Sequence, residues 1–266
     1  ANDFLDSLLD RYRPLSVYET MAPNGNRNTE AARYFLASFS KALKTRSKPF
    51  LVSNAGMVKQ SEAVLPPHID QAGFWDRHFH KAVSTHLRGK TFVRSQEDTS
   101  LSRCFFDLAG VFVLSEPAFL DLMEIAGNSE LNPKWWYDCY QYLYKSSHFV
   151  HQDHAFFQGR RILLADEGPI QVPNNTEIVV SLPPRDENEQ LSLPRLFLNT
   201  FVFIRRNLAA YIESGSVDVE QWIMRALGVV RFEATDLIPK AIRKVAPKLF
   251  SGQTSLTVNE LAEAWR

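Results

Sequence analysis

Phe50-Leu-Val-Ser-Asn-Ala-Gly56-Met-Val58 and Ile162-Leu-Leu-Ala-Asp-Glu-Gly168-Pro-Ile170 share one pattern, an apolar run broken by a turn that contains glycine. Asn54-Ala-Gly56 and Asp166-Glu-Gly168-Pro169 each put a residue tolerant of positive φ between two apolar runs, so each stretch predicts a β-hairpin. An aromatic-rich helical run precedes each hairpin, Ala31-Ala-Arg-Tyr-Phe-Leu-Ala-Ser-Phe39 and Lys134-Trp-Trp-Tyr-Asp-Cys-Tyr-Gln-Tyr142. A second strand then closes on Leu65-Pro66-Pro67 and on Leu182-Pro183-Pro184. Downstream, Phe105-Phe-Asp-Leu-Ala-Gly110 and Trp222-Ile-Met-Arg-Ala-Leu-Gly228 each end an amphipathic helix on glycine. Leu65 to Gly110 is 45 positions and Leu182 to Gly228 is 46. The expected fold is α+β and helix-dominated, with two tandem related units, residues 1–131 and 132–266, each carrying a small β-hairpin. Gly56, Gly110, Gly168 and Gly228 are the expected structural positions, hairpin turns and helix C-caps where positive φ costs little. Two copies fall short of the three or more that make a solenoid self-supporting, so the pattern reads as a tandem piece of a longer array. A duplicated unit without a shared chemical motif advertises architecture rather than catalysis.

With 266 residues, 45% of them apolar, the chain can bury a substantial core, and nineteen Phe and five Trp make it aromatic-heavy. Thirty basic and thirty acidic residues cancel, which argues against whole-chain attraction to nucleic acid or anionic lipid. Cys104 and Cys139, the two cysteines, exclude a disulfide framework and favour a reducing, intracellular compartment, cytoplasmic or nuclear. The best apolar run, Leu108 to Met123, is interrupted by Ser115, Glu116 and Pro117, short of a membrane span. Phe4, Leu5, Leu8, Leu9 and Tyr12 space out an amphipathic helix near the amino end, with acids where a signal peptide needs bases. That end, and the capping box Thr257-Val-Asn-Glu260 close to the other, suggest a piece cut from a longer protein.

Helix starts and stops are well marked. Asn28-Thr29 precedes the first repeat helix, Ser115-Glu-Pro117 opens a helix that Gly127 can close, and Asn132-Pro133 places proline at a first helical position. Ser192-Leu-Pro194 begins a helical run through about Tyr211, Asp218 caps a run ended by Gly228, and Thr235-Asp236 starts another. Ile178-Val-Val-Ser-Leu182 reads as a buried strand, and Pro184 to Gln190 as a mobile loop.

His148-Phe-Val-His151-Gln-Asp-His154 is the most metal-like stretch, because imidazoles three apart lie on adjacent turns of one helix. One helix cannot aim all three at one ion, since His148 and His154 point about 120° apart. His78-Phe-His80, with Asp76, Glu62 and His86 nearby in sequence, is a looser set; on a strand His78 and His80 would share a face, and only joint use with the first set would make a site. No metal site and no cofactor is therefore expected. No Walker loop, dinucleotide fingerprint, Gly-x-Ser-x-Gly elbow or His-Glu-x-x-His pattern occurs. Lys240, Arg243, Lys244 and Lys248 form a basic stripe opposite Ile238, Ile242, Val245 and Leu249, a surface for a phosphate backbone or an acidic partner, with Arg160-Arg161 and Arg205-Arg206 as contributors.

The string Pro49-Phe-Leu-Val-Ser-Asn-Ala-Gly-Met-Val-Lys-Gln-Ser-Glu-Ala-Val-Leu-Pro66 resembles a line in sacsin-like and NO VEIN-like proteins, where a strand, a glycine turn and a "pseavlp" segment follow one another. Phe106-Asp-Leu-Ala-Gly-Val111, Trp135-Trp-Tyr-Asp-Cys-Tyr-Gln-Tyr-Leu143 and Asp236-Leu-Ile-Pro239 resemble later elements, so the likeness runs from about Ala31 to Pro247. It implies a region carboxyl-terminal to a GHKL-type ATPase domain, in large intracellular proteins linked to chaperone-like quality control or defence. The Asn-bearing helix, Asp-x-Gly and Gly-rich lid that bind ATP in that family are absent from this sequence, so no catalytic residue carries over.

The expected function is a non-catalytic scaffold or coupling region whose partners are other domains of the same polypeptide and protein clients. The alternatives are a metal-dependent hydrolase or nuclease built on the histidine clusters, and a nucleic-acid-binding module built on the basic stripe. No membrane partner is expected.

Overall fold

The computed structural model describes residues 2–21, 30–53, 55–68, 72–94, 99–174, 179–183 and 201–232. The basic stripe Lys240, Arg243, Lys244 and Lys248, the linker from Pro184 to Gln190, the helix start at Thr235-Asp236 and the capping box at Thr257 lie outside the described residues. The fold is α+β and helix-dominated, built as two compact units, Ala1–Ala126 and Gly127–Arg266.

Unit 1 opens with helices α1 (Asn2–Arg11), α2 (Pro14–Met21) and α3 (Glu30–Thr45), followed by strands β1 (Leu51–Ser53) and β2 (Gly56–Val58). These strands form the expected antiparallel hairpin, with Gly56 at φ +105°. Strand β3 (Ala63–Leu65) then pairs in parallel with β4 (Thr91–Phe92) on one side and β5 (Phe112–Val113) on the other. Parallel neighbours need crossovers, and α4 (Ala72–His86) and α5 (Thr99–Ala109) supply them before α6 (Ala118–Gly127) follows. Ala63, Val64 and Leu65 are all buried. Ala63 and Leu65 join Leu9, Phe39, Leu43 and Phe105 in one core, while the intervening Val64 faces the other way. Trp75, Phe79, Phe92 and Phe119 pack edge to face nearby, with Phe79 and Phe119 centroids 5.1 Å apart. Helices thus cover both faces, as a parallel sheet requires.

Unit 2 repeats the plan. Helix α7 (Pro133–Lys145), capped by Asn132, leads through the one-turn helix α8 (His154–Phe157) to the hairpin β6 (Leu163–Ala165) and β7 (Gly168–Ile170). Strand β8 (Val179–Ser181) pairs in parallel with β9 (Phe201–Phe203), and Ser181 forms a parallel bridge to Val230. Helices α9 (Arg206–Ser214) and α10 (Val217–Leu227) complete the described part.

The correspondence extends to single hydrogen bonds. Arg94 N–H donates to Val52 O at 2.8 Å, and Arg205 N–H donates to Leu164 O at 3.0 Å. Ser53 bridges Val93 and Ala165 bridges Ile204, both antiparallel. Helices α5 and α10 are each eleven residues long and end on left-handed glycines, Gly110 at φ +70° and Gly228 at φ +67°. The hairpin glycines correspond as well, with Gly168 at φ +129°.

Three expectations are corrected. Residues 192–200 of the helical run expected from Ser192 to Tyr211 lie outside the described residues, and its described part opens with strand β9, because Phe201-Val-Phe203 is aromatic and β-branched and finds a partner in β8. His78 and His80 lie on helix α4, not on a strand, so they point to different sides. Ser216, not Asp218, occupies the N-cap of α10, and Asp218 falls in its first turn, where the helix dipole favours an acid.

The two glycine caps differ in what surrounds them. A Cβ on Gly228 would sit 2.6 Å from His154 Nε2, whereas one on Gly110 would meet the flexible methylenes of Lys44, the nearest at 2.8 Å. Both substitutions carry the left-handed penalty of about 1–2 kcal/mol. Gly228→Ala is therefore expected to lose more stability in chemical denaturation than Gly110→Ala, and adding His154→Ala should recover the excess. Equal losses at the two glycines would contradict this account.

Candidate functional site

The carboxyl edge of the unit 1 sheet brings His68 and Glu116 together. Pro66 and Pro67 end β3, since neither has an N–H for the ladder, and deliver His68 beyond the strand. Leu114 N–H donates to Leu65 O at 2.8 Å, which holds the chain after β5 alongside and presents Glu116 at the same edge. His68 Nε2 lies 2.6 Å from Glu116 Oε1; the Glu116 side chain is 18% exposed and that of His68 44%. Glu116 therefore orients the imidazole and leaves Nδ1 as its other proton site.

Helix α4 starts four residues after His68 and carries Asp76, whose Oδ1 is buried with no hydrogen-bond partner. Burial pushes the Asp76 carboxyl above its ordinary range, and the charges of His80 and of Arg94, at the end of β4, pull the other way. In open sheets with parallel strands the carboxyl ends of the strands are the common ligand position. His68 and Glu116 were not singled out by any sequence motif, whereas Asp76 stands in sequence beside the His78-Phe-His80 set. The signal that could have found the first two is their place just past Leu65-Pro66-Pro67 and Gly110-Val111, the landmarks of the repeat.

The histidines of unit 2 are dispersed. His148 packs edge-on against Phe149, with centroids 4.7 Å apart, and His151 is exposed in a turn. Asp153 is the N-cap of α8, its carboxylate accepting from Phe156 N–H at 3.3 Å. His154 lies 3.3 Å from Gln158 Nε2 through Nδ1, and its Nε2 is buried against Gly228 with no hydrogen-bond partner. In unit 1, His78 packs on Phe74 at 4.6 Å and His80 is exposed. Among the described residues, no group of three or more His, Cys, Asp or Glu is placed to hold a metal ion.

Two of the proposed basic contributors are tied to backbone. Arg161 Nε donates to Pro169 O at 2.9 Å, and Arg205 donates to Leu131 O at 3.0 Å. No helix among the described residues is long and apolar enough to cross a membrane. Set against known proteins, the chain matches no family model, no curated protein and no solved structure.

Because the Asp76 pKa is raised on folding, the folded chain keeps this proton where the unfolded chain has released it. Stability contributed by the neutral acid is then lost as pH rises from the unfolded value of 3.8 through the folded one. Asp76→Asn is expected to raise the urea midpoint at about pH 7, with the advantage shrinking towards the unfolded pKa. A loss of stability at about pH 7 that shrinks towards the unfolded pKa would instead show that the carboxylate is needed for its charge.

Proposed function

We propose that this chain is a non-catalytic scaffold or coupling region of a sacsin-like protein with a GHKL-type ATPase domain, passing conformational change between that domain and protein clients. What carries the reading is the set of residues that coincide when the units are aligned through their ladders. Leu51 and Leu163, Gly56 and Gly168, Leu65 and Leu182, and Gly110 and Gly228 coincide, and each sets the chain's path or fills its core. The groups with chemistry do not repeat. His68 and Glu116 stand where the sequence of unit 2 has Arg185 and Ala234, and His154 belongs to a helix inserted only in unit 2. A catalytic duty common to both units would need polar groups common to both.

The likeness of Phe50 to Pro66 to sacsin-like and NO VEIN-like proteins supports the family and its chaperone-like or defence-associated setting. The two free cysteines, Cys104 and the buried Cys139, suit a cytoplasmic location. Its partners are other domains of the same polypeptide and protein clients.

Calorimetry with magnesium and ATP is expected to give no binding heat up to about 1 mM ligand, and saturable micromolar binding would contradict the reading. Protein prepared without a chelator or histidine tag should carry substoichiometric zinc and manganese. About one equivalent, lost on His151→Ala, would favour the metal-dependent hydrolase instead.

A further inference from the structure

We propose that the open edge of β5 takes up an extended acidic peptide as an added strand. The inference deepens the scaffold reading by naming a surface and a partner chemistry, and it rests on that reading for the assumption that the chain binds protein. Strand β5 is the edge of the β4-β3-β5 sheet, with no described strand on its other side. Backbone groups of successive strand residues alternate between neighbours, and Leu114 N–H is already bonded to Leu65 O. The N–H and C=O of Val113 therefore point to the open edge. Phe112 is 48% exposed and Val113 38%, and as neighbours in a strand they lie on opposite faces. An incoming strand would find two backbone partners and an apolar contact on each face, the elements of β-strand addition.

Charge selects the partner. Lys90 Nζ lies 5.7 Å from the Phe112 ring centroid and donates to Ser61 O at 2.7 Å. The exposed Lys44 runs along Gly110, two residues before Phe112. Neither ammonium forms an ion pair among the described residues. Of the nearby acids, Glu62 accepts from Lys59 N–H at 3.0 Å, Glu116 is paired with His68, and Asp107 is exposed on α5.

Unit 2 supplies an internal comparison. There the counterpart of Val113 is Arg231, and its guanidinium is met by Glu220 and, at 3.9 Å, by Glu213 of the same unit. In unit 1 the uncharged Val113 stands there, and the cations near this edge, Lys44 and Lys90, come from other elements and have no such carboxylate partner among the described residues. A second copy of this chain is a poorer occupant, because edge-to-edge pairing would bring like-charged lysines together.

The test uses a fluorescein-labelled peptide of alternating valine and glutamate, its valine–lysine counterpart, and fluorescence anisotropy. The acidic probe is expected to bind saturably and the basic probe not to. Lys90→Glu should weaken the acidic probe, and Val113→Pro should weaken it about tenfold or more by deleting the outward N–H, which serves no ladder bond. If Val113→Pro folds poorly, hydrogen exchange on the unaltered protein decides. The Val113 amide should exchange freely alone and become protected with the acidic probe. Equal binding of both probes, unprotected Val113, or self-association through this edge would overturn the proposal. Those failures leave the ATP result standing, and ATP binding would sink the scaffold reading without altering this edge.

Discussion

A three-residue strand hydrogen-bonded on both sides is the constraint on which each unit depends. Residues Ala63–Leu65 are fully enclosed, so every N–H and C=O they carry must be paired, and parallel neighbours on both flanks do this. Parallel neighbours force two helical crossovers, and those crossovers become the layers that bury the strand. In unit 2 the buried Ser181 holds the place of Val64, and its one hydroxyl proton is satisfied by the carbonyl of Leu182 at 2.8 Å or of Val230 at 3.1 Å. The last strand must begin within a residue or two of a helix end. A left-handed glycine makes that turn, and Val111 N–H closes it on Phe106 O at 3.0 Å.

Much of this plan was legible because it is written in backbone chemistry. Glycines at two hairpins and two helix ends, the Leu-Pro-Pro strand stops and the Asn132-Pro133 helix start are positions where only a few residue types fit, so the sequence reports them directly. The parallel pairing was not legible. It joins residues some thirty to fifty positions apart, and nothing local in Thr91-Phe92 or Phe112-Val113 distinguishes a parallel edge from a hairpin arm. Phe201-Val-Phe203 shows the same limit from the other side, an apolar run whose identity as strand is decided by its partner.

The candidate site was hidden for a related reason. His68 and Glu116 are 48 positions apart and meet only because the two strands that deliver them run side by side. The histidine clusters that local spacing advertises are instead used one by one, His148 and His78 against aromatic rings and His154 as packing over a helix end. Proximity in sequence measured composition here, while proximity in space followed the ladders.

The central claim is that both units carry the same hydrogen-bond framework, and through-hydrogen-bond couplings in backbone NMR test it most directly. The account predicts couplings from the Arg94 amide to the Val52 carbonyl and from the Arg205 amide to the Leu164 carbonyl, with the matching pairs Val93 to Val64 and Ile204 to Ser181. Couplings in one unit with solvent-exchanging amides at the equivalent positions of the other would contradict it.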